Sequence, residues 1–442
     1  MPRSSPAGST LPRLSFADTA RVAAGVFGPI LAQGVIVRRP AVVGLAERLD
    51  THRQAARILG DLRERYGRGP VLLAIPGRDL AVVLDPDDAA RVLEESPHPF
   101  TPANREKVTA LRHFEPHGVL ISDAEHRMIR RPWNEEVLDH REELHRLHQH
   151  VVRVVREEVA GLEGLPVLDW DAQAAAFWRV VRRVVLGDAA RDDHELTDLM
   201  VDLRAQANWA FLRPRSTRRL RRLGELLRRH VAEAPPESLA AVVARTPGLP
   251  GTAPLGQMPQ WLFAFDAAGI ATHRALALLA AHPQVLAQVR AEDPSAHRGL
   301  RPTARATVLE SLRLWPTTLT ILRDGVAETD WSGRTAPAGT GFAIVSSYFH
   351  RDAGRLAWAD AFAPEIWQDD RAQTSRAIVP FSAGPARCPG RTLVLDVTSE
   401  LLAATVGRFD VTAVPPVRVR TGGPVPRTLA HTGLRFRLTP GA

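Results

Sequence analysis

Apolar residues recur at helical spacing through residues 50–65, so the first regular element predicted is an amphipathic helix. Residues 71–75 and 79–84 are β-rich runs on either side of Pro76-Gly77-Arg78, which predicts a hairpin. From 125 to 279 the helical period dominates, broken by a Pro/Gly-rich stretch at 234–259 that reads as a surface connector. Residues 261–280, WLFAFDAAGIATHRALALLA, are apolar on almost every face and predict a long core helix. Helical pattern continues at 283–292 and 303–314, gives way to turn-rich, strand-like pieces at 317–345, and returns at 393–406. Residues 417–419 and 434–438, around Gly422-Gly423-Pro424, predict a second hairpin. No internal repeat and no firm domain boundary interrupts this order. The Pro/Ser-rich residues 1–15 read as a mobile segment ahead of a single domain at 16–442, mainly α with small β-sheets.

Composition narrows the function. The chain has 442 residues, 45% hydrophobic and 24% charged, which suits a folded body large enough for a deep pocket. Its net charge of +8 comes almost wholly from arginine, since Lys107 is the only lysine, and no nucleic-acid-binding module accompanies it. A solvated, arginine-biased surface is the expectation, including the basic run 213–229; contact with acidic lipid or a carrier protein is the alternative there. Residues 22–37 are too short and too interrupted by Gly and Pro to span a membrane, which leaves surface docking as their alternative. A single cysteine, Cys388, excludes intramolecular disulfides and multi-cysteine metal sites and fits a reducing cytoplasm.

That cysteine stands in Phe381-Ser-Ala-Gly-Pro-Ala-Arg-Cys388-Pro-Gly390, a Gly/Pro-stiffened loop immediately before the apolar-periodic run 393–406. The sulfur is therefore expected near a helix N-terminus, where free amides and the helix dipole favour a thiolate. Gly384 and Gly390 would let the backbone pass close to a flat ligand. A buried structural cysteine is the competing reading, and a cysteine nucleophile a third, although none of the 16 histidines gives a local catalytic signature beside Cys388. Elsewhere, Glu310 and Arg313 are three residues apart on one helical face and can pair.

The loop resembles the haem-binding loop of the cytochromes P-450, whose pattern is Phe, two residues, Gly, three residues, Cys, one residue, Gly; Phe381, Gly384, Cys388 and Gly390 fill all four fixed positions. The resemblance implies a triangular prism with haem b held between a long distal helix and the cysteine loop, Cys388 being the axial iron ligand. Ser382 replaces a frequent glycine and Ala386 the usual basic residue two before the cysteine, for which neighbouring Arg387 would compensate. Glu310 and Arg313 resemble the family's core pair, but Ile366 stands where the family has the arginine that completes it, so local repacking is expected. His126 and Arg130, four apart on one helical face, resemble the donors to one haem propionate, and Arg323 the donor to the other.

Ala268, Gly269 and Thr272 resemble the distal groove for dioxygen, with the Thr272 hydroxyl reaching back to the Ala268 carbonyl. The acid that usually precedes the threonine is Ala271 here. Asp266 and His273 share a face while Thr272 points elsewhere, which makes Asp266 a poor substitute. The resemblance implies a cytoplasmic, monomeric monooxygenase that hydroxylates or epoxidises a hydrophobic small molecule in bacterial secondary metabolism. It would use dioxygen and electrons from a ferredoxin and ferredoxin reductase. Because of Ala271, peroxide-driven chemistry, redox-neutral haem chemistry and a non-catalytic haem- or carrier-binding protein are the alternatives.

Overall fold

The structure is a computed structural model that describes residues 9–419 and 422–441. Its centre is the helix Met258–Ala281, apolar all round and buried along most of its length because helices cover it on several sides. Trp170–Leu186, Pro302–Leu314 and Arg391–Arg408 pack directly on it, and His148–Ala160 packs on the far side of Arg391–Arg408. Asp169 caps the helix Trp170–Leu186 by accepting the Ala172 amide, and Asp123 caps Ala124–Val137 by accepting that of His126. The large helical core contains Phe177, Phe265, Leu276, Leu312, Leu395 and Leu401.

A second core lies under a five-stranded sheet in the order Val71–Leu72, Leu80–Val82, Gly341–Val345, Thr320–Gly325, Phe100–Thr101. Leu80–Val82 runs parallel to Gly341–Val345 and the other pairings are antiparallel. Buried and half-buried residues alternate along Thr320–Gly325, which turns Ile321 and Arg323 to the buried face.

Several expectations needed correction. The chain is paired well before residue 16: Ser9–Thr10 lies parallel to Arg334–Ala336, and Leu11 and Leu14 are buried, so residues 9–15 are tied to the body; residues 1–8 lie outside the described residues. The 234–259 connector contains the helix Leu239–Arg245, capped by Ser238 and buried through Val243. Phe436–Pro440 pairs with Phe409–Ala413 and not with 417–419, because Arg391–Arg408 runs straight into that strand.

Residues 22–37 break into short helical pieces, Ala23–Phe27 and Gly28–Ala32, and an irregular end. Among the described residues the only stretch long and apolar enough to cross a membrane is 254–281, most of it covered by the protein itself. The arginines of Thr217–Ala232 lie on a solvated face, where Arg219, Arg222 and Arg229 pair with Asp202, Glu195 and Asp193.

Candidate functional site

The cysteine loop is held by its own backbone: the Cys388 amide donates to the Phe381 carbonyl at 2.9 Å, and that of Arg387 to Gly384 at 3.0 Å. Gly384 has φ +63°, and a Cβ there would stand 2.2 Å from the Leu93 carbonyl oxygen, so the loop lies on the end of the helix Pro86–Glu94 as only glycine allows. Gly390, with φ −86° and only an ordinary contact of its missing Cβ with Leu138 at 3.9 Å, has no such demand on it; its amide instead donates toward the Cys388 sulfur. Ser382 occupies the left-handed region at φ +61°, at a cost of about 1 kcal/mol, and its hydroxyl accepts from Arg323 at 3.1 Å. The departure from glycine thus adds a polar link to the buried strand.

Although Cys388 is only half-buried as a residue, burial of its sulfur pushes the thiol above its ordinary value. The Gly390 amide and Arg131, Arg387 and Arg391 act in the opposite direction and lose. A coordinated metal would supply positive charge that favours the thiolate.

Three cations gather beside this loop. Arg323, 2% exposed, donates to Ser96 and Ser382 hydroxyls and its neighbour's carbonyl, and burial pushes it down to about 9. Lys107 holds its ammonium on the carbonyls of Pro102 and Leu322, and burial, with Arg323 and Arg127 nearby, takes it well below the usual lysine range. Arg127 donates to the Val119 carbonyl and burial lowers it to about 10. None of the three is in an ion pair with a carboxylate among the described residues, and Asp324, whose charge acts on Lys107, is engaged by Arg78.

His126 and Arg130 are elsewhere. The His126 ring is exposed and pairs with Asp123 at 2.9 Å, while Arg130 donates to the Gly251 carbonyl and the Ser122 hydroxyl. Those contacts fix the rotation of Ala124–Val137 so that the adjacent face, with Arg127 and Arg131, looks toward the cysteine loop; Arg131 donates to the Arg387 carbonyl at 2.7 Å. Arg387 itself is exposed and does not replace the base missing at Ala386, which is buried. Lys107 was missed by motif reasoning, although its being the only lysine was a signal.

Behind the loop, Glu310 and Arg313 are fully buried and bidentate at 2.6 and 2.7 Å. Arg313 also donates to the carbonyls of His350, Ala359 and Ala361. Glu310 accepts the Ala363 amide at 2.8 Å and the Trp367 indole N–H at 3.0 Å. Trp367, next to Ile366, therefore takes the third partner's place, while Arg371 stays at the surface with Asp369 and Glu365.

On the distal helix the Thr272 hydroxyl donates to the Ala268 carbonyl at 2.9 Å, as the motif implied. Gly269 serves packing, since a Cβ there would stand 3.0 Å from the Phe177 ring. Ser311 donates to the Ala271 carbonyl at 2.8 Å. Asp266 pairs with buried Arg204, and His273 is packed among Trp170 and Phe436, so neither stands in for the acid absent at Ala271.

The residues present fit haem. Cys388 in its glycine-enabled loop could serve as the iron ligand, and three cations lacking carboxylates could hold the two propionates. The family model described as Cytochrome P-450 matches residues 264–424. Cyclooctat-9-en-7-ol 5-monooxygenase of Streptomyces melanosporofaciens is 35% identical over 149 residues, covering 31% of this chain and 32% of that protein. Cyclooctatin synthase of the same organism is 29% identical over 113 residues, a quarter of each chain. The chain thus matches about a third or less of these relatives' lengths. A crystal structure of a cytochrome P-450, CYP102L1, superposes with a TM-score of 0.72 over 99% of this chain and 100% of that one, at 17% identity, and shows the same fold.

Proposed function

The chain belongs to the cytochrome P-450 family, whose cofactor is haem b, and on that premise we propose that it is a monooxygenase of a hydrophobic small molecule, supplied with electrons by separate proteins. The observation that carries this reading is the cluster Lys107, Arg127 and Arg323, unpaired by carboxylates and joined through Ser382 to the loop of Cys388. Bound haem supplies the capacity to bind and activate dioxygen. The protein's own residues do the rest. Cys388 offers its sulfur as iron ligand, with the Gly390 amide tempering its charge. The Thr272 hydroxyl donates a hydrogen bond to the Ala268 carbonyl and keeps lone pairs that would accept from a water in the groove. With alanine at 271, protons reach Thr272 Oγ through ordered water and not from an adjacent carboxyl.

The name of the Streptomyces relative, a cyclooctat-9-en-7-ol 5-monooxygenase, supports monooxygenation of a hydrophobic small molecule; hydroxylation or epoxidation in bacterial secondary metabolism is the finer form of this reading. Exposed Arg387 beside Arg391 suits an acidic ferredoxin. Reduced protein under carbon monoxide is expected to give the red-shifted Soret band of a thiolate-ligated carbonyl, absent in Cys388→Ser; haem without that band in the parent would unseat the ligand. Arg323→Leu and Lys107→Met should each speed haem transfer to apomyoglobin about tenfold, because each removes one charge-assisted contact. Unchanged transfer in both would refute the propionate assignment.

A further inference from the structure

Segments 31–39 and 208–212, far apart in the chain, are tied together at the surface. The Asn208 side chain accepts the amides of Ile36 and Val37 at 3.0 and 3.4 Å and donates to the Val37 carbonyl at 3.0 Å, while the Arg39 guanidinium lies 5.2 Å over the Trp209 ring. The amides of Leu212 and Arg213 fold back onto the Trp209 carbonyl at 2.8 and 3.0 Å, which makes 209–213 a tight turn after the helix His194–Ala207. With the backbone so satisfied, large apolar side chains are left facing water: Leu31, Val35, Trp209, Phe211 and Leu212 are 47% to 78% exposed. A single exposed leucine is ordinary, but five such side chains on two segments bonded to each other form a patch that gains by being covered.

The charge around the patch has one sign. Residues 19–46 and 203–224 contain no aspartate or glutamate. Arg213, Arg215 and Arg218 follow the turn directly, are exposed, and have no ion pair among the described residues; only beyond them do Arg219 and Arg222 reach Asp202 and Glu195. A second copy set on this face by a two-fold contact would bring the two arginine runs against each other. A nucleic acid would answer the arginines and leave the apolar side chains against phosphate. An anionic bilayer answers both, since its acyl boundary takes the apolar tips and its headgroup phosphates take the guanidinium groups. The Trp209 indole suits the level between them.

We propose that this face rests on the surface of an anionic lipid bilayer, with Trp209, Phe211 and Leu212 at the acyl boundary and Arg213, Arg215 and Arg218 on headgroup phosphates. The contact is peripheral, because the patch is carried by a turn and by an irregular segment that follows the short helices Ala23–Phe27 and Gly28–Ala32, none of which is long enough to cross.

The test is co-sedimentation of the haem-loaded protein with vesicles of phosphatidylcholine alone and of phosphatidylcholine containing about one-third phosphatidylglycerol, at low and high salt. The anionic vesicles are expected to bind the protein about tenfold or more tightly than the neutral ones, and added salt to erode the difference. Combining Trp209→Ser, Phe211→Ser and Leu212→Ser should weaken binding to anionic vesicles about tenfold or more, as should Arg213→Gln with Arg215→Gln. These positions are all solvent-exposed, so circular dichroism and haem content should stay those of the parent. Absence of binding to anionic vesicles, equal binding to both kinds, or binding that survives the serine substitutions overturns the proposal. Inhibition by soluble glycerol phosphate at the phosphate concentration of the vesicles makes the arginines a site for free phosphate and also overturns it. Self-association of the parent in sedimentation velocity, abolished by the serine substitutions and unaccompanied by vesicle binding, assigns the face to a second copy instead. Should the serine variant lose its haem, the parent's lipid preference and the glutamine variant decide.

Discussion

Arg313→Met is expected to lower the unfolding free energy by about 3–5 kcal/mol and to leave little haem-loaded protein, because it strands the Glu310 carboxylate in a site with no solvent exposure. It also frees the carbonyls of His350, Ala359 and Ala361, which Arg313 gathers from the segment after the sheet. Against a typical total stability of about 5–15 kcal/mol this is a large fraction. Trp367→Phe removes only the indole donor to Glu310 and should cost about 1.5–3 kcal/mol, the range for a hydrogen bond to a charged group. Trp367→Phe should therefore fold and bind haem but unfold at lower urea. Urea titrations followed by circular dichroism, with haem content from the pyridine haemochrome, give both numbers. An Arg313→Met protein within about 1 kcal/mol of the parent would mean that Glu310 takes up a proton or a water in its place, and the network would then owe its stability to packing.

The contrast between Glu310 and its third partner shows how far the sequence reaches. The Glu310–Arg313 pair was legible because both members lie on one helix and a fixed period sets their spacing. Trp367 was not, because the turn Pro364–Trp367 carries its indole to a helix more than fifty residues away. The same limit explains His126 and Arg130: the pattern also permits Arg127 and Arg131 at the same spacing, and only contacts to Asp123, Ser122 and Gly251 choose the rotation. In the cysteine loop the need for glycine at Gly384 was legible, and a close approach to the Leu93 carbonyl is what demands it, whereas Gly390 meets no such demand. Ser9–Thr10, two polar residues in a Pro/Ser-rich stretch, becomes a strand only through the edge offered by Arg334–Ala336, and nothing local announces that. Leu239–Arg245 was hidden by the prolines and glycines flanking it, which outweighed a short apolar run capped by serine.

Lowering the pH from 6.5 to about 4 is expected to erode stability with an added slope of up to about 1.4 kcal/mol per pH unit for each of two buried histidines. His350 Nε2 accepts the Val379 amide at 3.0 Å, so a proton there would abolish a hydrogen bond; burial, with the charge of Arg313 beside it, pushes the ring down to about 3. His273, packed against Trp170 and Phe436 with Nε2 on the Leu434 carbonyl, is pushed by burial down to about 4. Both folded values lie below the unfolded one near 6.5. The unfolded chain thus takes up protons that the folded chain refuses, and stability present above pH 6.5 is lost as pH falls toward the folded values. His148 behaves oppositely: its hydrogen bond to Asp396 raises it, so its contribution is complete below pH 6.5 and disappears above that, outside this window. His273→Gln keeps a donor for the Leu434 carbonyl but cannot titrate. Its unfolding free energy, measured by urea titration at intervals from pH 6.5 to 4.5, should fall less steeply than the parent's, by about 2 kcal/mol in all over that window. Carboxylates that also titrate in this range contribute equally to both proteins and cancel in the difference. Parallel curves would show that His273 accepts its proton in the folded state, which requires water to reach Nδ1 from the side of Trp170.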